Sequence, residues 1–384
     1  MAVPDAPRLI LVQCHYFDAG VCRSCTLMGT GYAAQLALKQ ARVAEVLAGA
    51  VPAEAWQSPV TSAESGFRNK AKLVVGGVKG SPTVGILGPD GRGVDLRHCG
   101  LHEAGLHEAV LTTAELLRGS GLTPYDVPAR QGELKHVLLT HSPDGELMAR
   151  FVLRSPGQLT RVRELVPALG EALPGTRVVS VNLQPEHKAV LEGPEEVLLT
   201  EQETLPMRVN DITLHLRTRS FFQTNTAVAS ALYRQARAWA DEVAPSSVWD
   251  LYCGVGGFAL HLLADGRDVL GIEVSPEAVL SATTSARELG ASRARFEVGD
   301  ATTYLQEREA PDLVVVNPPR RGIGSLARWL EGSGVEHVIY SSCHAGSLAR
   351  DLAAMPSLQV REARLFDMFP QTAHHEVMVS LRRR

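Results

Sequence analysis

The pattern of apolar and polar residues changes twice along this chain of 384 residues. Apolar residues recur at helical spacing over residues 32–47, which predicts an amphipathic helix. From about residue 59 the pattern becomes short alternating segments separated by Gly, Pro and Asp, which predicts strands. After residues 213–222 apolar strands alternate with helices to the end of the chain, as is typical of a doubly wound sheet.

The predicted elements of the middle region are all short. Strands are predicted at residues 71–75, 83–87, 136–140, 147–153, 176–183 and 188–192. Two helices are predicted near residues 104–119 and 156–169. This mixture predicts an α+β fold with antiparallel strand pairing.

The chain is too long for one typical hydrophobic core, so we predict a division into three parts. Residues 1–50 form a cysteine-rich segment with a linker helix, and residues 51–215 form the central α+β domain, which binds RNA if the protein acts on RNA. Residues 216–384 form an α/β domain with a Rossmann-like sheet.

Composition excludes some classes of protein. The net charge of −4 argues against a strongly electrostatic, non-specific nucleic-acid binder, although basic pairs such as Arg320 and Arg321 leave specific RNA binding open. The sequence has no apolar run long enough to span a membrane and no pattern of a secretory signal. We therefore expect a cytoplasmic protein without a membrane span, and nothing in the pattern indicates an obligate protein partner.

The segment from Trp249 to Leu260 carries the most specific chemical signal. An apolar strand ends at Asp250, and a glycine-rich turn leads into an apolar helix. Glycines let the backbone approach a ligand closely. Glu273 ends the next apolar run, where an acid can bind the two hydroxyls of a ribose. Because the dinucleotide spacing G-x-G-x-x-G is absent, the pattern favours S-adenosylmethionine over NAD, and therefore methyl transfer.

Two later apolar strands also end in residues with useful chemistry. Asn317 and two prolines follow the strand at residues 312–316, and Cys343 follows the strand at 335–342. Ligands of open α/β sheets bind outside the carboxyl ends of the strands, so we expect these residues to face the same crevice as Asp250 and Glu273. A cysteine at this place suggests a nucleophile rather than a packing residue.

The other cysteines form a pattern typical of metal ligands. Cys14, Cys22 and Cys25 lie close together in the sequence, and Cys99 lies in a distant polar turn. Four thiolates can bind a [4Fe–4S] cluster or zinc. The single C-x2-C pair favours the iron–sulfur cluster, while zinc and unmetallated thiols remain alternatives. Cys253, inside the glycine turn, is interpreted as a small packing residue.

Five segments together resemble the RNA uracil-C5 methyltransferases. They are Ser220–Asn225, Asp250–Gly257, Asn317–Gly322, Ser341–Cys343 and Phe366–Glu376. Their order and spacing match the family over almost the whole chain. The N-terminal cysteine spacing and residues 66–72 are most similar to the members that modify a domain II loop uridine of 23S rRNA. Only thirteen residues precede Cys14, so we expect no N-terminal TRAM domain of the kind that related members carry.

The resemblance implies a role for each matching residue. It implies that Cys343 is the nucleophile and Glu376 the base that removes a proton. The residues that it implies for S-adenosylmethionine binding are Gln223, Tyr252, Glu273 and Asn317. It also implies that a [4Fe–4S] cluster is bound by Cys14, Cys22, Cys25 and Cys99. Phe221 and Phe222 could stack on RNA bases, but core packing is the favoured interpretation.

The chemistry of uracil explains why these residue types are needed. Carbon 5 of uracil is a poor nucleophile, and addition of a thiolate to carbon 6 activates it, which is covalent catalysis. A general base must then remove the proton from carbon 5. The target base must leave its stack to reach such a pocket, so we expect a flipped uridine in a loop of 23S rRNA. The alternatives are the same reaction on another rRNA site or on tRNA, and a non-catalytic RNA-binding iron–sulfur protein.

Overall fold

The computed structural model describes residues 12–188, 190–304 and 309–384. The chain forms two compact units, the first made of Met1–Ser65 and Ala227–Arg384 and the second of Gly66–Thr226. This division differs from the three predicted parts, because the described N-terminal residues fold with the C-terminal sheet. For example, the backbone N–H groups of Gln57 and Val60 donate to the carbonyls of Ala363 and Leu365.

The N-terminal part of the first unit contains two helices. The short helix α1 spans His15–Asp18, and α2 spans Tyr32–Leu47, which are the predicted bounds of the amphipathic helix. The buried positions of α2 are four residues apart, so they form one face of the helix. The apolar half of this face, Val43 and Leu47, joins the main hydrophobic core of the unit.

The second unit contains a sheet whose strands, among the described residues, have the order β3-β2-β1-β4-β5-β6-β7. The strands are β1 (Lys70–Val78), β2 (Ser81–Leu87), β3 (Gly93–Asp95), β4 (Leu134–His141), β5 (Leu147–Leu153), β6 (Thr176–Leu183) and β7 (Glu195–Leu198). Helices α3 (Ala104–Gly119) and α4 (Leu159–Ala172) share a core with the sheet. A separate hairpin consists of β8 (Leu205–Val209) and β9 (Ile212–Leu216).

Two predictions for this unit were wrong. Strands β5 and β6 pair in parallel, because α4 provides the crossover that a parallel pair needs. The described residues of segment 188–192 form no strand, and Ala189 lies outside the described residues. The side chain of Asn182 bonds the backbone N–H and carbonyl of Gly193, so the edge strand begins only at Glu195.

The rest of the first unit is the predicted Rossmann-like domain. Its strands, among the described residues, have the order β12-β11-β10-β13-β14-β16-β15. They are β10 (Ser247–Leu251), β11 (Asp268–Glu273), β12 (Ala294–Val298), β13 (Leu313–Val316), β14 (His337–Ser342), β15 (Leu358–Phe366) and β16 (Glu376–Arg383). The helices are α5 (Thr226–Val243), α6 (Gly257–His261), α7 (Pro276–Glu288), α8 (Ala301–Tyr304), α9 (Ser325–Gly332) and α10 (Ala345–Ala353). No helix in the described part of the chain is both long and apolar enough to cross a membrane.

Candidate active site

The strand order places a crevice at the end of β10. This strand pairs in parallel with β11 on one side and with β13 on the other, and β13 pairs in parallel with β14. The chain order reverses between β10 and β13, and ligands of open α/β sheets bind at such switch points. Glu273, Asn317 and Cys343 therefore end or directly follow neighbouring parallel strands at one edge of the sheet.

The turn after β10 leaves room for a ligand. Tyr252 has a φ of +70°, a left-handed conformation that is uncommon outside glycine. A Cβ atom on Gly254 would meet nothing within 4 Å, whereas one on Gly256 would approach Ala282 and Phe296 at 3.1 Å. Gly256 is thus needed for packing, while Gly254 borders open space that a bound molecule can fill.

Two carboxylates surround this turn. Glu273, at the end of β11, accepts the N–H of Gly254 at 3.1 Å and the N–H of Ser275 at 3.0 Å. Asp250 is fully buried and accepts the N–H of Ala259 at 2.9 Å through Oδ2, while its Oδ1 has no hydrogen-bond partner in the structure. Burial, with a smaller contribution from the charge of Glu273, raises the pKa of Asp250 to about 7, and the hydrogen bond from the Ala259 N–H opposes this shift. These acids and the open face of Gly254 fit a ligand that carries hydroxyl or amino groups.

The loop after β13 is fixed by a buried aspartate. Asp351 on α10 accepts the N–H of Ile323 at 2.8 Å and the hydroxyl of Tyr340 at 2.6 Å. A Cβ on Gly322, which has a φ of +84°, would collide with the Asp351 carboxylate. The loop that begins at Asn317 is therefore held in one conformation, with the Asn317 side chain half-buried.

Cys343 and Glu376 lie at the same edge of the sheet, although they come from strands of opposite direction. In the antiparallel register of β14 and β16, Ser341 pairs with Met378 and Ser342 with Val377. Glu376 is the first residue of β16 and therefore lies next to the end of β14. Its carboxylate is buried and accepts the Ser341 hydroxyl at 2.6 Å.

Burial shifts the pKa of both residues. It raises the pKa of Glu376 to about 7, and the hydrogen bond from Ser341 opposes this shift. Burial also raises the pKa of the half-buried Cys343 thiol; the charge of Glu376 adds to this effect and Arg320 opposes it. A carboxyl with a pKa near neutrality is suited to take up and release a proton at physiological pH.

The structure brings five of the six predicted catalytic and cofactor residues to this edge: Tyr252, Glu273, Asn317, Cys343 and Glu376. Gln223 belongs to the second unit, where it is buried and its carbonyl accepts the side-chain N–H of Asn69 at 3.0 Å. Phe222 is buried, which agrees with core packing, but Phe221 is 73% exposed.

Three of the predicted cluster ligands belong to the first unit, and Cys99 belongs to the second. Cys14 and Cys22 are partly exposed, Cys25 is buried, and all are free thiols. In the described residues no group of three or more His, Cys, Asp or Glu side chains is arranged to bind a metal ion. Cys99 lies in the second unit, in the turn after β3, where its N–H donates to the Leu96 carbonyl. Reduced thiols are chemically suited to binding iron.

The sequence reasoning missed the roles of Ser341 and Asp351. A signal for Ser341 was available, because residues two apart on a strand share a face and Ser341 stands two residues before Cys343. Asp351 gave no such signal: its bonds to Ile323 and Tyr340 join residues that the sequence separates.

Two family models and several known proteins match this chain. A family model described as a methyltransferase domain matches residues 248–334, and one described as tRNA (Uracil-5-)-methyltransferase matches residues 302–384. A protein from Salmonella newport is 46% identical over 97% of this chain and all of its own length, and one from Halothiobacillus neapolitanus is 48% identical over 96% and 99%. Both are named 23S rRNA (uracil(747)-C(5))-methyltransferase RlmC.

A solved structure has a similar fold. The tRNA (uracil-54, C5)-methyltransferase of Pyrococcus abyssi, in complex with S-adenosyl-L-homocysteine, superposes with a TM-score of 0.77. It covers 93% of this chain and 85% of its own, at 23% sequence identity, so it shows the fold alone.

The sheet order and the glycine turn, together with the methyltransferase match, define an S-adenosylmethionine-dependent methyltransferase of the Rossmann-like class. With relatives 46–48% identical over nearly the whole length, the chain belongs to the RlmC family of 23S rRNA (uracil-C5)-methyltransferases. The family assignment predicted from the sequence is confirmed, and so is S-adenosylmethionine as a cofactor.

We expect Glu273→Ala to weaken binding of S-adenosylhomocysteine by about 10- to 100-fold, the cost of losing hydrogen bonds to a charged acceptor. The substitution removes both a ligand-facing carboxylate and the anchor of Gly254. Isothermal titration calorimetry measures the affinity. The control is Asp265→Ala, an exposed acid in the turn before β11. Equal affinity of Glu273→Ala and the control would show that this carboxylate does not bind the cofactor.

Proposed function

We propose that this protein methylates carbon 5 of uridine 747 of 23S rRNA, the reaction for which its relatives are named. The observation that carries the proposal is the pairing of a strand-end thiol, Cys343, with the buried acid Glu376 at the edge of the sheet that holds the glycine turn. Methyl transfer to an exocyclic amine would need neither residue. Their placement supports methylation at carbon.

Cys343 acts as the nucleophile in this proposal. Its thiolate adds to carbon 6 of the uracil, and the electron pair of the 5,6 double bond moves to carbon 5, forming an enolate. S-adenosylmethionine supplies the methyl group that carbon 5 then takes up. Because burial raises the thiol pKa, the positive charge of Arg320 is needed to favour the thiolate.

Glu376 completes the reaction as the general base. It removes the proton from the methylated carbon 5, the 5,6 double bond re-forms, and the bond between carbon 6 and the Cys343 sulfur breaks, which returns the thiolate. Burial suits the carboxylate to this step because it raises the pKa to about 7 and shields the base from water. Ser341 orients the carboxylate through its hydrogen bond.

The cofactor would be bound by Glu273, Asn317 and Tyr252, with Gln223 as a further proposed contact. Tyr252 supplies an aromatic surface at the turn, where its backbone adopts the left-handed conformation. The target uridine would enter the site flipped out of its RNA stack. The exposed ring of Phe221 is suited to stack on an RNA base.

We expect Cys343→Ala to abolish methylation of unmodified 23S rRNA at uridine 747, a loss of at least about 1,000-fold. Cys253→Ala is the control, because Cys253 is a buried thiol of the glycine turn that follows β10, whereas Cys343 follows β14. Methyl transfer from labelled cofactor, with mapping of the modified base, measures the effect. RNA containing 5-fluorouridine should form a covalent complex with the wild type and not with Cys343→Ala.

Three results would count against this proposal. Activity retained by Cys343→Ala would exclude the covalent mechanism. Activity on tRNA but not on 23S rRNA would keep the chemistry and exclude the substrate. RNA binding without methyl transfer by the wild type would favour a non-catalytic RNA-binding protein.

We expect Ser341→Ala to move the acidic limb of the pH–activity profile to higher pH. The Ser341 hydroxyl stabilises the carboxylate of Glu376 and opposes the effect of burial, so its removal raises a pKa that already stands at about 7. The base is then protonated over a wider range, and activity falls below neutral pH but recovers above it. The control is Ser342→Ala, because the Ser342 hydroxyl bonds His344 instead. Identical profiles for both variants would contradict the role of Ser341.

We also propose that Cys14, Cys22, Cys25 and Cys99 bind a [4Fe–4S] cluster with a structural role. Support comes from the burial pattern of the N-terminal segment. Among residues 12–31, Cys25 is the buried residue, so this segment has no apolar core of its own. A cross-link through the thiols would offset the entropy of ordering it. A cytoplasmic location and the lack of an obligate protein partner stay predictions.

We expect anaerobically purified protein to contain about four irons per chain and Cys22→Ser to lose them together with thermal stability and RNA binding. Iron and acid-labile sulfide analysis and the unfolding temperature measure this. Cys253→Ser should keep the wild-type iron content. Full stability of Cys22→Ser without iron would contradict the structural role.

A further inference from the structure

A buried ion pair joins helix α2 to the segment that leads into the catalytic base. The Lys39 ammonium lies 2.5 Å from Asp367 Oδ1, and the two side chains are 2% and 0% exposed. Lys39 also donates to the Phe369 carbonyl at 3.0 Å. Removal of one partner of a buried pair leaves an uncompensated charge, so this contact strongly favours a single position of the segment.

A second buried contact lies one helical turn away. Gln35 donates its Nε2 to Gln371 Oε1 at 2.9 Å, and its Oε1 accepts the Gln371 N–H at 2.9 Å. Gln371 is 1% exposed and has a φ of +66°, which is uncommon for a residue with a side chain. The double hydrogen bond from Gln35 supports this backbone conformation. Gln35 and Lys39 are thus the polar half of the buried face of α2.

The same segment is bonded to the cysteine-rich region. The N–H of Leu27 donates to the Gln371 carbonyl at 2.9 Å, and the N–H of Met28 donates to the Cys25 carbonyl at 3.1 Å. Gln35 Nε2 also donates to the Thr30 carbonyl at 2.7 Å. Residues 25–30 and the segment before Glu376 therefore hold each other in place.

The position of this segment in the hairpin explains why such contacts matter. Strand β15 ends at Phe366 and β16 begins at Glu376, and these two residues pair with each other. Residues 367–375 leave the sheet and return to it, so the hairpin register alone does not fix their path. Glu376, the first residue after this segment, carries the carboxylate that must reach the proton on carbon 5.

We propose that Lys39 and Gln35 are positioning residues for the base: they hold residues 367–375, and thereby Glu376, in the geometry needed to remove the carbon 5 proton. This inference rests on the proposed function. The base acts only after the thiol has added and the methyl group has been transferred. Loss of positioning should therefore spare the early steps and slow release of the methylated RNA from Cys343.

The test measures the covalent enzyme–RNA complex formed with ordinary uridine RNA and labelled S-adenosylmethionine. We expect Lys39→Met to reduce turnover about tenfold or more, the effect of a small misplacement of a catalytic group. The labelled methyl group should accumulate in a complex that survives denaturing electrophoresis. Glu376→Gln is the reference that lacks the base. Gln35→Met should act in the same direction, and it removes three hydrogen bonds, two of them to Gln371, without leaving a buried charge.

The control is Arg42→Met, which removes an exposed cation from the same helix and should behave as the wild type. Circular dichroism and binding of S-adenosylhomocysteine show whether each variant is folded; if Lys39→Met is not, Gln35→Met decides. If Glu376→Gln accumulates the covalent complex, two results would overturn the positioning role alone. The folded Lys39→Met and Gln35→Met variants would either turn over normally or lose activity without accumulating the complex. A Glu376→Gln variant that accumulates no complex would overturn the base itself, and the positioning role with it.

Discussion

The chemistry proposed for this protein depends on a carboxyl group that is kept out of water. Glu376 is buried at the end of β16, and burial raises its pKa to about 7. The Ser341 hydroxyl is the hydrogen-bond partner that limits this shift. Burial also raises the pKa of Cys343, and the charge of Glu376 raises it further, so the proposed nucleophile and the proposed base disfavour each other's negative charge. Arg320, in the loop after β13, acts in the opposite direction, because its positive charge lowers the pKa of Cys343.

The sheet brings this pair to the cofactor. Parallel strands β11, β10, β13 and β14 end at one edge, and antiparallel β16 begins there. Reversal of the last strand is what allows an acid late in the sequence to lie beside a strand-end cysteine. Asp351, on α10, bonds the loop that follows β13 and the Tyr340 side chain on β14. The site is thus made of strand ends, with its loops held by buried polar contacts from helices.

The N-terminal segment contributes to the same unit. Helix α2 packs its apolar residues into the core of the sheet and presents Gln35 and Lys39 to the segment before Glu376. Removal of one partner of a buried ion pair is strongly destabilising, because it leaves an uncompensated charge. The proposed positioning of Glu376 by residues distant in sequence rests on these contacts.

The sequence alone determined the elements with strong periodicity and the chemistry of the strand ends. The bounds of α2, α3, β5 and β6 were predicted because their apolar patterns are local, and the cofactor class followed from the turn at Asp250–Gly257 and from Glu273. Only the tertiary structure decided the parallel pairing of β5 with β6, the grouping of the N-terminal residues with the C-terminal sheet, and the bonds of Ser341, Asp351 and Lys39. Each of these joins residues distant in sequence, and a local pattern carries no information about its partner.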